Sequence, residues 1–187
     1  MSEYFELWDD KLVTGRWHLQ APHVGDQWVN ADLFTGGGGP VAPPETMVIK
    51  RPYPGVALDY TMASRGLPVA SERAAHVFEH SAADDVQLIP VTVEGHREPY
   101  FIVHALHALE CVDEQRSEGI RPWTEADERP DRLGDYKAID ALRIDPARVA
   151  GHHLFRVKRW EVALIVSAHL REELERAGLT GLRFVPA

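Results

Sequence analysis

Two runs rich in β-branched and aromatic residues, Val86-Gln87-Leu88-Ile89-Pro90-Val91-Thr92-Val93 and Tyr100-Phe101-Ile102-Val103-His104-Ala105-Leu106, flank a turn through Gly95. Such side chains suit a pleated, half-buried surface, so the pair predicts a central antiparallel hairpin. Pro90 has no amide donor and belongs at an edge-facing position or a bulge. Shorter strand candidates are Met47 to Lys50, Val56 to Tyr60, Ala141 to Ile144, Leu154 to Val157, Val162 to Val166 and Leu182 to Val185. Tyr4-Phe5-Glu6-Leu7-Trp8 and Lys11-Leu12-Val13 stand either side of Asp9-Asp10 and read as an N-terminal hairpin.

Helical signals are fewer. Pro68 marks an extended approach to a helix that Ser71 caps, with Glu72 in the first turn. Ser167 caps a second one, whose Leu170, Leu174 and Ala177 keep helical spacing and whose end is marked by Gly178 at C′. Hairpins with two helices and no regular βαβ alternation give an α+β fold. A chain of 187 residues can bury one core. The expectation is a single domain over 1–187, with a mainly antiparallel or mixed sheet, two principal helices at 71–81 and 168–177, and long loops.

Two stretches resist either pattern. Residues 21–45 are rich in Gly and Pro around Gly36-Gly37-Gly38-Gly39-Pro40, with a short helical turn near Ala31 to Phe34, and read as a flexible surface loop. A phosphate cradle would need a helix directly after the glycines, and Pro40 and Pro43-Pro44 follow instead. Residues 110–135 hold nine acidic residues against four arginines, interrupted by Gly119, Pro122 and Pro130, and read as a solvated excursion.

Charge narrows the partners. With 29 acidic and 20 basic residues the formal net charge is -9, which repels phosphate backbones and anionic membrane surfaces and favours a basic protein. Nucleic acid and membranes are therefore not expected as partners. The single cysteine, Cys111, makes no internal disulfide, and Met1-Ser2-Glu3-Tyr4 lacks a basic segment leading into an apolar run, so the expected location is cytoplasmic.

The most enzyme-like stretch is His76-Val77-Phe78-Glu79-His80, an H-x-x-E-H pattern whose two histidines share one helical face and whose glutamate could activate a metal-bound water. The apolar stripe of that helix is Ala74, Val77 and Phe78, and at 100° per residue both histidines lie nearly opposite it. They read as surface residues without an identified third ligand, so no metal, cofactor or catalytic residue is assigned. A small zinc hydrolase using His76, Glu79 and His80 stays as the alternative, beside a regulatory protein-binding domain. His104 and His107 sit in strand sequence, three apart and on opposite faces, and His152-His153 reads as a polar turn pair. Cys111 has acidic neighbours that disfavour its thiolate.

Trp17, Trp28, Trp123 and Trp160 stand beside Gly, Pro or charged residues rather than in apolar runs, which suits either partner anchors or plugs for sheet ends. Loops carry variable recognition, so the candidate partner-binding set is Trp17, Trp28, Glu114, Glu118, Trp123, Asp127 and Glu128.

The order of landmarks adds to this. Gly15-Arg16-Trp17-His18-Leu19, Pro54-Gly55-Val56-Ala57-Leu58-Asp59, Leu67-Pro68-Val69-Ala70-Ser71-Glu72, Gln87-Leu88-Ile89-Pro90-Val91, Pro99-Tyr100-Phe101-Ile102, Leu142-Arg143-Ile144-Asp145, Ile165-Val166-Ser167 and Gly178-Leu179-Thr180-Gly181-Leu182-Arg183-Phe184 follow one another along nearly the whole chain. The series resembles a bacterial family first catalogued as a domain of unknown function and later assigned to immunity proteins of polymorphic toxin systems. The resemblance implies a protein that binds and neutralises a cognate toxin, and it brings no catalytic residues with it.

Overall fold

The structure is a computed structural model describing residues 3–44 and 46–187; the N-terminal Met1-Ser2 and Glu45, the last position of the Gly/Pro-rich stretch, lie outside it. In chain order the elements are β1 (Tyr4–Asp9), β2 (Pro22–Val24), β3 (Gln27–Trp28), α1 (Asp32–Thr35), β4 (Val48–Ile49), β5 (Tyr60–Ala63), β6 (Leu67–Ser71), α2 (Glu72–Ser81), β7 (Val86–Val93), β8 (Tyr100–Ala105), β9 (Ala108–Leu109), β10 (Arg121–Pro122), β11 (Tyr136–Ala138), β12 (Leu154–Val157), β13 (Trp160–Ser167), α3 (Ala168–Arg176) and β14 (Leu182–Pro186). No helix among the described residues is long and apolar enough to cross a membrane.

The hairpin expected from the two apolar runs is β7 with β8, paired antiparallel from Val86↔Ala105 to Val91↔Tyr100. It forms the middle of a seven-stranded sheet of order β3-β2-β4-β7-β8-β6-β5, in which β4 runs parallel to β7. The amides of Thr92 and Glu94 donate to carbonyls of Met47 and Ile49. Pro90 faces the same flank just before the β4 pairing begins, so its missing donor leaves no ladder bond unmade.

A second sheet has the order β14-β1-β13-β12-β9. Here the expected N-terminal hairpin is corrected: β1 pairs with β13 and with β14, while residues 11–15 form turns. The Asp9-Asp10 turn signal is real, since Asp10 Oδ1 accepts the Leu12 amide, but the alternating Phe5, Leu7 and Asp9 fill a slot between two distant strands. The stretch from Val56 is likewise corrected. Regular strand begins only at Tyr60, and Val56 makes an isolated bridge to Arg16.

Alternation along the strands creates three cores. The seven-stranded sheet turns Ile89, Val91, Val93 and Ile102 towards Trp17, Phe34 and Met47 on one face, and Val103 and Ala105 towards the helices on the other. The five-stranded sheet turns Leu154, Leu164 and Val166 towards the same helix core, and Phe155, Ala163 and Ile165 towards a third cluster with Cys111, Leu142 and Ile144. Helices α2 and α3 pack against each other and supply Phe78, Leu170 and Leu174 to the shared core.

Both helices begin where their caps place them. Ser71 Oγ accepts the Ala74 amide and Ser167 Oγ accepts the Leu170 amide, each cap contributing about 1 kcal/mol. Gly178 follows α3 at φ 62°, a left-handed residue that suits glycine.

Candidate partner-binding surface

Residues 110–144 leave the five-stranded sheet after β9 and return before β12. The stretch is not simply a solvated loop. Its outgoing leg bridges its returning leg at Val112↔Ile144 and Glu118↔Ala141, and β10 pairs antiparallel with β11. Cys111, Val112, Leu142 and Ile144 anchor the base of this arm in the third core. Gly119 and Pro122 break helical periodicity, so the legs run extended and the tip closes through short turns at Glu125–Asp127 and Pro130–Arg132.

Most of the arm's charges are matched internally. Asp113 pairs with Arg116, Asp140 with Arg121, Asp131 with Arg129, Asp135 with Arg132, and Asp127 with Lys137. Hydrogen bonds from Lys137 and from the Thr124 amide and hydroxyl hold the Asp127 carboxyl at about 2. Glu110 pairs with Lys158, and the arm's carboxylates left without an ion-pair partner among the described residues are Glu114, Glu118, Glu125 and Glu128, all exposed. Glu114 accepts the Tyr136 hydroxyl, and Glu128 ends its turn at φ 54°.

A polar cleft of about 500 Å³ opens at the foot of the arm, lined in part by Glu110, Asp113, Tyr136 and Arg159. Lys158 beside Glu110 and Arg116 beside Asp113 hold both carboxyls below the usual carboxylate range. Burial, helped by the bond to Glu114, pushes Tyr136 up to about 12.

The tryptophans separate into distinct environments. Trp17 is a correction: it is 0% exposed and donates Nε1–H to Thr61 Oγ1 at 2.8 Å, so it is a core residue with no face for a partner. The Trp17 amide donates to the Val56 carbonyl, and neighbouring Arg16 is itself largely buried, paired with Asp9. Trp28 on edge strand β3 is 60% exposed, tilted against His23. Trp123 is half-buried, and Lys137 and Arg129 lie 5.1 and 5.8 Å from its ring centroid. Trp160 is half-buried against the third core.

The histidine motif falls on the solvent side of α2. His76, Glu79 and His80 are all exposed, opposite buried Ala74, Ala75 and Phe78, and among the described residues no third ligand joins the two histidines. The glycine run is less free than its composition indicates: His104, buried in β8, has its ring nitrogens 3.0 Å from the Phe34 carbonyl and 2.8 Å from that of Gly39. Burial pushes the Cys111 thiol up to about 12, with a smaller contribution from Asp145 rather than from its acidic sequence neighbours. His152 and His153 bond to Asp85 and Ser167, links that no local motif announces.

No curated protein matches the chain. Residues 9–187 match the Immunity protein family (Imm11), a span that takes in the acidic arm, both principal helices and every strand except β1, of which it includes only Asp9. The chain belongs to this family of immunity proteins.

Proposed function

We propose that the chain neutralises a cognate toxin by binding it stoichiometrically, without turnover, and that the acidic arm is the docking face. The observation that carries this is the set of four unmatched, exposed glutamates, Glu114, Glu118, Glu125 and Glu128, on a hydrogen-bonded arm. The family match over residues 9–187 includes the arm, and a loop-borne recognition face on a fixed scaffold suits a specific pairing.

Membership in an immunity family supports the toxin as partner. The net charge of -9 favours a basic one and disfavours nucleic acid and membrane surfaces, and the single cysteine suits action in the cytoplasm. Trp28 and Trp123 are the aromatic contacts in this reading, with Asp127 holding the arm's tip in shape. Titration of the purified toxin's activity tests it. Inhibition should rise linearly and finish at a fixed molar ratio, whereas inhibition at catalytic amounts of this chain would show turnover.

A further inference from the structure

Asp85, His107 and His152 are far apart in sequence and come from three turns. Asp85 directly precedes β7 of the seven-stranded sheet, His107 links β8 to β9, and His152 precedes β12 of the five-stranded sheet. Asp85 is 4% exposed. Its Oδ2 accepts the backbone amides of His153 at 2.6 Å and Leu154 at 3.2 Å. That leaves Oδ1 facing two imidazoles, with His152 Nδ1 at 2.6 Å and His107 Nε2 at 3.5 Å. No Lys or Arg pairs with Asp85 among the described residues, so this buried carboxylate has no permanent cation beside it.

The geometry points to a divalent transition-metal site of the zinc type, with Asp85, His107 and His152 as its three protein ligands and solvent completing the shell. One ligand atom from each residue lies within 4.8 Å of the others. Ligand bonds of about 2.0 to 2.1 Å in a tetrahedron put neighbouring ligand atoms about 3.3 Å apart. The observed 2.6 and 3.5 Å bracket that spacing. Two imidazoles and one carboxylate favour zinc over calcium or magnesium, which prefer all-oxygen shells. The two amides on Oδ2 are the outer hydrogen bonds that hold a ligating carboxylate in orientation.

Access and adjustment are both available. The side chains of His107 and His152 are 33% and 27% exposed, which gives an ion a path from solvent. Their ring centroids lie 3.9 Å apart with the planes tilted by 32°, and the ion seats by parting the rings and replacing both the His152–Asp85 bond and the 3.1 Å bond from His107 Nε2 to the Asp84 carbonyl. Because its ligands come from both sheets, the ion ties one to the other and stabilises the folded chain. The site is separate from the His76–His80 pair on α2 and does not depend on the toxin-binding reading.

The test uses the full chain stripped with a chelator and dialysed against zinc. About one equivalent should be retained per chain, with a raised Tm, and His107→Gln should weaken binding by at least about tenfold. His76→Ala with His80→Ala should leave retention unchanged. On zinc addition to the wild-type chain, the imidazole nitrogen resonances of His107 and His152 should shift while those of His76 and His80 stay, a readout independent of how any variant folds. No retained zinc, retention unaffected by His107→Gln, or shifts confined to His76 and His80 would overturn the assignment.

Discussion

Asp59 Oδ2 accepts both the backbone amide and the hydroxyl of Thr180, each at 2.9 Å, across 121 residues of chain. The other carboxylate oxygen accepts the hydroxyl of Ser71, the residue that caps α2. One side chain therefore joins the start of β5, the first turn of α2 and the turn before β14. Beside it, Gly181 passes so close to Tyr60 that an added Cβ would meet the Tyr60 carbonyl at 2.2 Å. Three of the landmark segments, those ending at Asp59, containing Ser71 and containing Thr180, meet at this point.

Removing that carboxylate should destabilise the fold more than any surface change. Asp59→Ala leaves a part-buried amide and two hydroxyls without their acceptor, an expected cost of about 2 to 4 kcal/mol by urea unfolding. Burial alone raises the Asp59 carboxyl, but the Thr180 amide, the Ser71 and Thr180 hydroxyls and Arg73 together hold it below the usual carboxylate range. A depressed folded pKa contributes stability above the unfolded value, about 3.9, that is lost as pH falls through the folded one. The stability gap between wild type and Asp59→Asn should thus be full at pH 7 and shrink below about pH 4.

Charge on the arm should govern the rate of encounter rather than the fold. Replacing Glu118, Glu125 and Glu128 together by Lys should change unfolding free energy by no more than about 0.5 kcal/mol per site. Association with a basic toxin should slow by about tenfold or more at low salt, in stopped-flow measurement. Association that is insensitive to both these changes and ionic strength would count against the acidic docking face.

The two tryptophans should fail in opposite ways. Trp17→Ala empties a core site and breaks the bond to Thr61, costing about 3 to 5 kcal/mol of stability. Trp28→Ala should leave stability within about 1 kcal/mol and weaken toxin binding by about 1 to 2 kcal/mol, read by calorimetry.

Arg156 is buried, donates to the carbonyls of Glu161 and Val162, and has two guanidinium nitrogens without partners. Burial holds its pKa down at about 10. Arg156→Met keeps most of the volume and removes the charge, so stability should be unchanged or higher, whereas Arg156→Ala should cost about 2 to 4 kcal/mol through the cavity it leaves. Paired urea melts separate the two.

Local chemistry made several elements legible in sequence. Ser71 and Ser167 stand immediately before helical spacing, and the runs either side of Gly95 are too β-branched to be anything but strands. Long-range competition hid others. The partners of β1 lie more than 150 residues away, so the nearest turn signal at Asp9-Asp10 pointed to a false hairpin. Trp17 stands between Arg16 and His18 and looks like a surface residue until the 54–56 segment folds against it. Helical phase placed His76 and His80 correctly on the surface, while Asp85, His107 and His152 share no spacing that any local pattern could reveal. On the arm, composition disclosed the acidic excess but not which carboxylates its own arginines already occupy.

Stoichiometric neutralisation is tested most directly by co-expressing this chain with its cognate toxin and asking whether growth returns and the two co-purify. The expected result is restored growth together with a complex of fixed ratio. Restored growth with no complex and a chemically altered toxin, or no restoration and no complex, would contradict it.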